Sequence, residues 1–256
     1  MSEWKVTVHK KVKLKNAVLI EGMPGIGNVG KIACDVIAEQ VKAQRIASFF
    51  SHCLPNSVFV QEDHTVKLPT IELLYKKVKK RDFLFLVGDI QPAREEDSYS
   101  FTEAVLSLAK KLGCKEVAAL GGIGLGEMPV ESRIYCTGND KKLVDGFAKY
   151  GADPQLYGIV GPIMGVTGLV LGLGDAYGIK AVALLAETYA SPMHVGLHEA
   201  KGLMRILEKK YSFGVKIAEF EKDLKKLEKE LKPRARQQEM LDQEAETHYQ
   251  DTSYIG

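Results

Sequence analysis

The sequence has little of what marks specialised classes of protein. Cysteine is scarce: Cys34, Cys53, Cys114 and Cys136 lie far apart, and no pair has CxxC spacing. That argues against a zinc knuckle or a thioredoxin-type redox pair. It leaves the four as small buried apolar residues. Charge of one sign is not in excess, since 35 Lys and Arg face 33 Asp and Glu for a net charge of +2. Nucleic-acid and membrane-surface binders concentrate basic charge, so neither partner is expected. The most apolar long stretch, Tyr157 to Gly174, is broken by glycines and followed by Asp175. It is too short and too glycine-rich for a membrane span. Met1 to Leu14 carries no apolar signal-peptide core, so the chain reads as cytoplasmic. There is no GxSxG elbow and no HExxH, which removes the commonest hydrolase and zinc-protease signatures.

What is present is an ordinary globular mixture, 256 residues with 45% hydrophobic and 27% charged side chains. Short apolar runs alternate with helical patterns. Ala17 to Ile20, Arg45 to Phe50, Phe83 to Val87, Val117 to Leu120, Tyr157 to Val160 and Ala181 to Leu185 read as strands, several apolar on both faces. Val58 to Leu68 reads as a hairpin turning at Glu62–Asp63–His64. Ser100 and Glu103 have capping-box spacing, and Asn139 is placed to cap a further helix. Strands followed by helices predict one three-layer α/β/α domain with a mainly parallel sheet, over residues 1–211.

Three glycine clusters follow predicted strands. Gly25–Ile26–Gly27–Asn28–Val29–Gly30 is a literal GxGxxG between a strand and a helix that Asn28 can cap. A dinucleotide site would need an acid at the end of the next strand, which instead ends Phe49–Phe50–Ser51–His52. Gly25 to Lys31 also fits GxxxxGK, but Ile32 stands where a hydroxyl should hold magnesium. No cofactor is therefore expected. The second cluster runs from Gly121 to Gly126, the third from Gly158 to Gly174. All three fall on the carboxyl edge of the sheet, where open α/β folds bind ligands. Gly25, Gly27, Asn28, Gly30, Gly122 and Gly124 are the candidate ligand-binding residues. Close backbone packing at the same edge is the competing reading, and the sequence leaves both open.

No catalytic residue can be nominated. Asp89, Glu127, Asp175 and Glu187 fall at or beyond strand ends, but none has an evident partner. His194 and His198 are four apart on a predicted helix, and no third metal ligand accompanies them, so no metal site is expected.

The last quarter has a different character. Phe213, Ile217, Phe220, Leu224, Leu227 and Leu231 recur at alternating spacings of four and three, an a/d seam of the coiled-coil kind. Glu221 with Lys225, and Glu228 with Lys232, stand in the favourable i, i+4 order. Residues 212–232 are expected to form an amphipathic helix for self-association or partner docking, ended by Pro233. Residues 233–256 are polar and read as a flexible tail tipped by Tyr254 and Ile255.

The ordered set Glu21-Gly-Met-Pro-Gly-Ile-Gly-Asn-Val-Gly30, Pro55-Asn-Ser-Val-Phe59, Gly121-Gly-Ile-Gly124, the Gly158 to Leu169 run and Leu184-Leu-Ala-Glu-Thr188 resembles the proteasome assembly chaperone family, in its archaeal branch. The resemblance spans roughly residues 15 to 210. It implies an α/β/α sandwich similar to purine nucleoside phosphorylases. It also implies a non-enzymatic, homo-oligomeric chaperone that assists assembly of the proteasome α-ring. Some members end in a hydrophobic–Tyr–any tripeptide that inserts between α subunits. This chain departs from that pattern, because Tyr254 is antepenultimate and Ile255 penultimate. The expectation is a homo-oligomeric assembly chaperone or adaptor, with itself and proteasome α subunits or a related chaperone as partners. The alternative is a phosphorylase-like enzyme or small-molecule binder holding phosphate or a nucleoside at the glycine edge.

Overall fold

The computed structural model describes residues 4–159, 161–191 and 193–222. Two compact units divide the chain, Met1–Val215 and Lys216–Gly256. In the first unit the strands are β1 (Lys5–Val8), β2 (Ala17–Gly22), β3 (Gln44–Phe50), β4 (Phe59–Val60), β5 (Val66–Lys67), β6 (Ile71–Val78), β7 (Arg81–Gly88), β8 (Cys114–Leu125), β9 (Ile134–Gly138) and β10 (Lys180–Tyr189). The helices are α1 (Val29–Gln40), α2 (Glu95–Lys111), α3 (Lys141–Ala148), α4 (Gly165–Tyr177) and α5 (Leu197–Tyr211).

Eight strands form one sheet in the order β1-β3-β6-β7-β2-β8-β10-β9. The four central neighbours, β7, β2, β8 and β10, are parallel. The flanks are antiparallel: β1 on β3, β3 on β6, β6 on β7, and β9 on β10. The sheet is thus less uniformly parallel than the apolar runs imply. Helices α1 and α5 cover one face and α2 and α4 the other, which is the expected α/β/α sandwich. The central strands are buried on both faces, as their unbroken apolar runs require.

Several local expectations are displaced. The strand beginning at Cys114 does not stop at Leu120 but continues through the glycines to Leu125, with Gly122 beside Ala186 and Gly124 beside Thr188. Helix α2 starts at Glu95, ahead of the Ser100 box. Glu95, Glu96 and Asp97 occupy its first turn and Lys110 and Lys111 its last, the arrangement a helix dipole favours. Asp140, not Asn139, caps α3, its carboxylate accepting from the Leu143 amide at 2.8 Å. Tyr157 makes only an isolated β-bridge and residues 158–159 form a turn, so no strand runs there among the described residues.

Cys34, Cys114 and Cys136 are buried, and burial raises all three thiols above their ordinary range.

Phe213 is the main departure from the expected seam. Helix α5 ends at Tyr211, and Ser212 takes a left-handed conformation at φ 54°. The Glu208 carboxylate accepts from the Gly214 amide at 3.0 Å and from the Val215 amide at 3.2 Å, which closes the turn. Phe213 is buried, its ring 4.6 Å from Phe83 and 5.6 Å from Tyr211. It therefore belongs to the first unit's own core and does not share a helix with Ile217 and Phe220. In the second unit, residues 217–222 are helical, with Lys216 and Glu219 paired at 2.8 Å. Ile217 and Phe220 are half-buried. Leu224, Leu227, Leu231, Tyr254 and Ile255, and with them most of the predicted helix and the tail, lie outside the described residues.

Candidate functional site

The carboxyl ends of β2, β7, β8 and β10 share one edge because those strands are parallel. An open cleft of about 490 Å³ sits there. Its walls are the turn after β2 (residues 23–26), the glycine stretch of β8 (residues 120–125), residues 159 and 161–165, Gln91 beyond β7 and Thr167 in the first turn of α4. Gln91 and Thr167 are the polar side chains among the described lining residues, and no charged side chain is among them.

The glycine motif divides between two tasks. Gly25, Gly30, Gly122 and Gly124 line the cleft. Gly27 and Asn28 do not. Gly27 has φ 62°, and a Cβ there would lie 2.8 Å from the Thr188 hydroxyl. Its carbonyl accepts from the Gly196 amide at 2.8 Å. Asn28 holds the N-cap position of α1, but in a left-handed conformation at φ 50° and with no side-chain capping bond. A 3-10 turn at Ile26–Asn28 precedes the helix.

Packing accounts for much of the glycine. A Cβ on Gly30 would stand 2.1 Å from the Leu120 carbonyl oxygen, and one on Gly122 would stand 2.6 Å from that of Ile26. No side chain tolerates such approaches, so these glycines let α1 and its leading turn press onto β8. Gly25 differs, because a Cβ there would meet nothing within 4 Å.

Beneath the cleft lies Glu21, fully buried near the carboxyl end of β2. The Met23 amide donates to its Oε1 at 2.9 Å, and the Thr167 hydroxyl donates to its Oε2 at 3.1 Å. Burial raises the carboxyl from its ordinary 4.5 to about 7, against the opposing pull of those two donors. Sequence reasoning passed over this residue. Its signal was available: an acid continuing an apolar run that is buried on both faces has no route to water.

Of the other carboxylates at strand ends, Glu127 is exposed, and Asp89, Asp175 and Glu187 serve the framework. Asp89 accepts from the Thr70 amide and hydroxyl, both at 2.8 Å. Asp175 accepts from the Asn139 side chain at 3.0 Å. Glu187 accepts from the Arg133 amide at 3.1 Å. His194 precedes α5 and is not on the same helix as His198. Its Nε2 lies 3.1 Å from Glu199 Oε1, which also accepts from the Thr188 hydroxyl at 3.1 Å. This trio, in which Thr188 and Glu199 are buried and His194 half-buried, fastens the loop after β10 to the start of α5. No metal-holding cluster occurs among the described residues.

The carboxyl edge is also where exposed apolar side chains collect. Among the described residues, the exposed large hydrophobics apart from Val8, Tyr99 and Tyr150 all belong to this edge. They include Val60 and Val66 of the β4–β5 hairpin, Met128 after β8, Tyr157 and Met164 before α4, and Met193 after β10.

A mixed sheet covered on both faces, with an open cleft where its parallel strands end, defines the class as an α/β/α sandwich. The particular group follows from comparison with known proteins. The model of the PAC2 family matches residues 19–234, and the chain belongs to that family. It is 28% identical to an uncharacterized protein of Methanocaldococcus jannaschii over 257 residues, 97% of each chain. It is similar in structure to Pyrococcus furiosus PbaB, described as an archaeal proteasome activator, with TM-score 0.81, 24% identity, and coverage of 92% of this chain and 100% of that one. It is also similar to Pyrococcus furiosus PbaA, described as an archaeal homolog of proteasome-assembly chaperone, with TM-score 0.76, 22% identity, and coverage of 98% and 99%. No helix among the described residues is long and apolar enough to cross a membrane.

Proposed function

We propose that this protein is a non-enzymatic, homo-oligomeric assembly chaperone that works on proteasome subunits and captures them through its C-terminal segment. One observation carries the reading. The PAC2 family pattern extends to residue 234, well past Val215, where the compact first unit ends. The first part of the appended segment, residues 216–234, is thus matched together with the sandwich. The descriptions of PbaB and PbaA supply the client class. Several copies joined through the sandwich present several such segments, and multivalency converts weak single contacts into firm capture. Residues 216–232, with Ile217 and Phe220 at their head, would make the first contact, and Tyr254 and Ile255 the last.

The test compares capture of purified proteasome α subunits by the full-length protein and by a chain ending at Lys232. Full-length protein should retain the subunits and the shortened chain should lose most of that retention. Equal retention removes the tail from the mechanism. Failure of the full-length protein to retain any α subunit removes the chaperone reading.

A second reading, a small-molecule binder or phosphorylase-like enzyme, is favoured by the cleft itself above the buried Glu21. The absence of a cation among the described lining residues favours an uncharged ligand such as a nucleoside over phosphate. A saturable rise in melting temperature with a nucleoside supports it, because a ligand that binds only the native state adds RT ln(1 + [L]/Kd) of stability. No rise across a nucleoside panel removes it.

A further inference from the structure

The hairpin β4–β5 rises from the carboxyl edge between β3 and β6, and residues 55–68 are all exposed. Its turn is well built: the Asp63 carboxylate accepts from the Thr65 amide at 3.1 Å and from the Thr65 hydroxyl at 2.7 Å, and His64 takes φ 66°. Val60 pairs with Val66, and Phe59 with Lys67. Alternation along the strands then places Val58, Val60, Val66 and Leu68 on one face. Those side chains are 52%, 75%, 64% and 57% exposed. A two-stranded hairpin is at best marginally stable alone in water. This one has its register fixed and an all-aliphatic face that the first unit leaves uncovered.

We propose that this hairpin seats in the cleft of a second copy of the same chain, whose own hairpin seats reciprocally in the first. The proposal deepens the homo-oligomer part of the chaperone reading and rests on it. Shape is the first argument. Protrusion and recess stand on the same edge, separated by the three strand steps from β3 to β2, about 14 Å at the usual strand spacing. A two-fold axis between them brings each hairpin to the other copy's cleft, the self-complementary pattern of an isologous interface. Charge is the second argument. The aliphatic face carries no ionisable group, and no charged side chain is among the described cleft lining, so two copies meet there without like-charge repulsion. Area is the third. A stable pair covers about 800 Å² on each partner, and toward it this edge offers Val58, Val60, Val66 and Leu68 of the hairpin with Met164 and Met193, each more than half exposed. The proposed seat also lies away from the end of helix α5. Helix α5 leaves the carboxyl edge after β10 and ends at Tyr211, which bonds Glu116 near the amino end of β8. The end of α5 therefore lies at the opposite edge of the first unit.

The experiment measures the mass of the full-length chain by sedimentation velocity. Two variants are compared with it, Val60→Asp with Val66→Asp on the hairpin, and Met164→Arg on the cleft wall. Circular dichroism and melting serve as controls for folding, which exposed positions should not disturb. Each variant should dissociate at least ten-fold more readily than the parent. An equimolar mixture should regain pairing, since one intact hairpin and one intact cleft remain. Variants with the parent mass, a monomeric parent, or a mixture that stays dissociated would each overturn the seating. Loss of α-subunit capture at unchanged mass would overturn it too, by showing that the edge faces the client. The chaperone reading is judged separately, by whether the parent protein captures α subunits at all.

Discussion

The two edges of the sheet are built on opposite plans. At the amino edge, Tyr211 and Phe213 close over Phe83, the Tyr211 hydroxyl bonds Glu116, and Arg81 pairs with Glu116 at 2.9 Å while lying 5.1 Å from the Tyr211 ring centre. Lys210 lies 4.0 Å from the Phe147 ring centre, and burial lowers its pKa. Aromatic rings, cations and a carboxylate there satisfy one another. At the carboxyl edge glycines replace side chains, a cleft stays open, and apolar groups face outward. The closed edge holds the unit together, and the open edge carries surface that folding alone does not explain.

That contrast can be broken most forcefully at Phe213. Phe213→Ala should destabilise the first unit by about 3–5 kcal/mol, the usual cost of emptying a buried aromatic site, read as a lower midpoint in urea. An unchanged midpoint would return Phe213 to the seam and undo the closed edge.

Glu21 tests whether the open edge stores a cost. Below pH 4.5 the carboxyl is protonated in folded and unfolded chains alike. Between 4.5 and about 7 the unfolded chain ionises while the folded one keeps its proton, so stability falls through that window and levels off above it. Glu21→Gln keeps the shape, with the Thr167 hydroxyl turning to accept from the amide. It should therefore stabilise the protein by on the order of 3 kcal/mol at pH 8 and by little at pH 4. Melting curves at the two pH values check this, and a gain that does not depend on pH would show that Glu21 carries no such cost.

The smallest effect is expected at Gly30. In a helix Gly→Ala normally gains about 1 kcal/mol, but the clash with the Leu120 carbonyl should reverse the sign and leave a loss of about 1–3 kcal/mol. A stabilised Gly30→Ala variant would mean that α1 can back away from β8, and that the cleft floor is softer than its contacts imply.

Much of this was legible in the sequence because burial leaves a pattern. Runs such as Ala17 to Ile20 and Phe83 to Val87 can be only buried strands, and the hairpin announced itself through Glu62–Asp63–His64 between apolar segments. Strand β6 was missed because Ile71 to Val78 mixes Leu, Tyr and Lys, the mark of a strand only partly covered. Gly25, Gly30, Gly122 and Gly124 line the cleft, whereas Gly27 and Asn28, which the spacing groups with them, sit in the turn before α1, with Gly27 against Thr188. Spacing cannot tell a glycine that makes room for a ligand from one that makes room for a carbonyl. Phe213 misled for a related reason: its spacing to Ile217 fits a helix, and only Ser212 and Gly214 in left-handed conformations stop one from running through.

The sequence by itself determined the layers and the class, because those follow from which residues avoid water and in what period, while the family rested on the resemblance of its ordered glycine motifs. Only the tertiary structure decided that Glu21 is sealed beneath a cleft, that Phe213 folds back on its own sheet, and that protrusion and recess share one edge. Those are consequences of strand order, and strand order is set by contacts between residues distant in the chain, which no local pattern records.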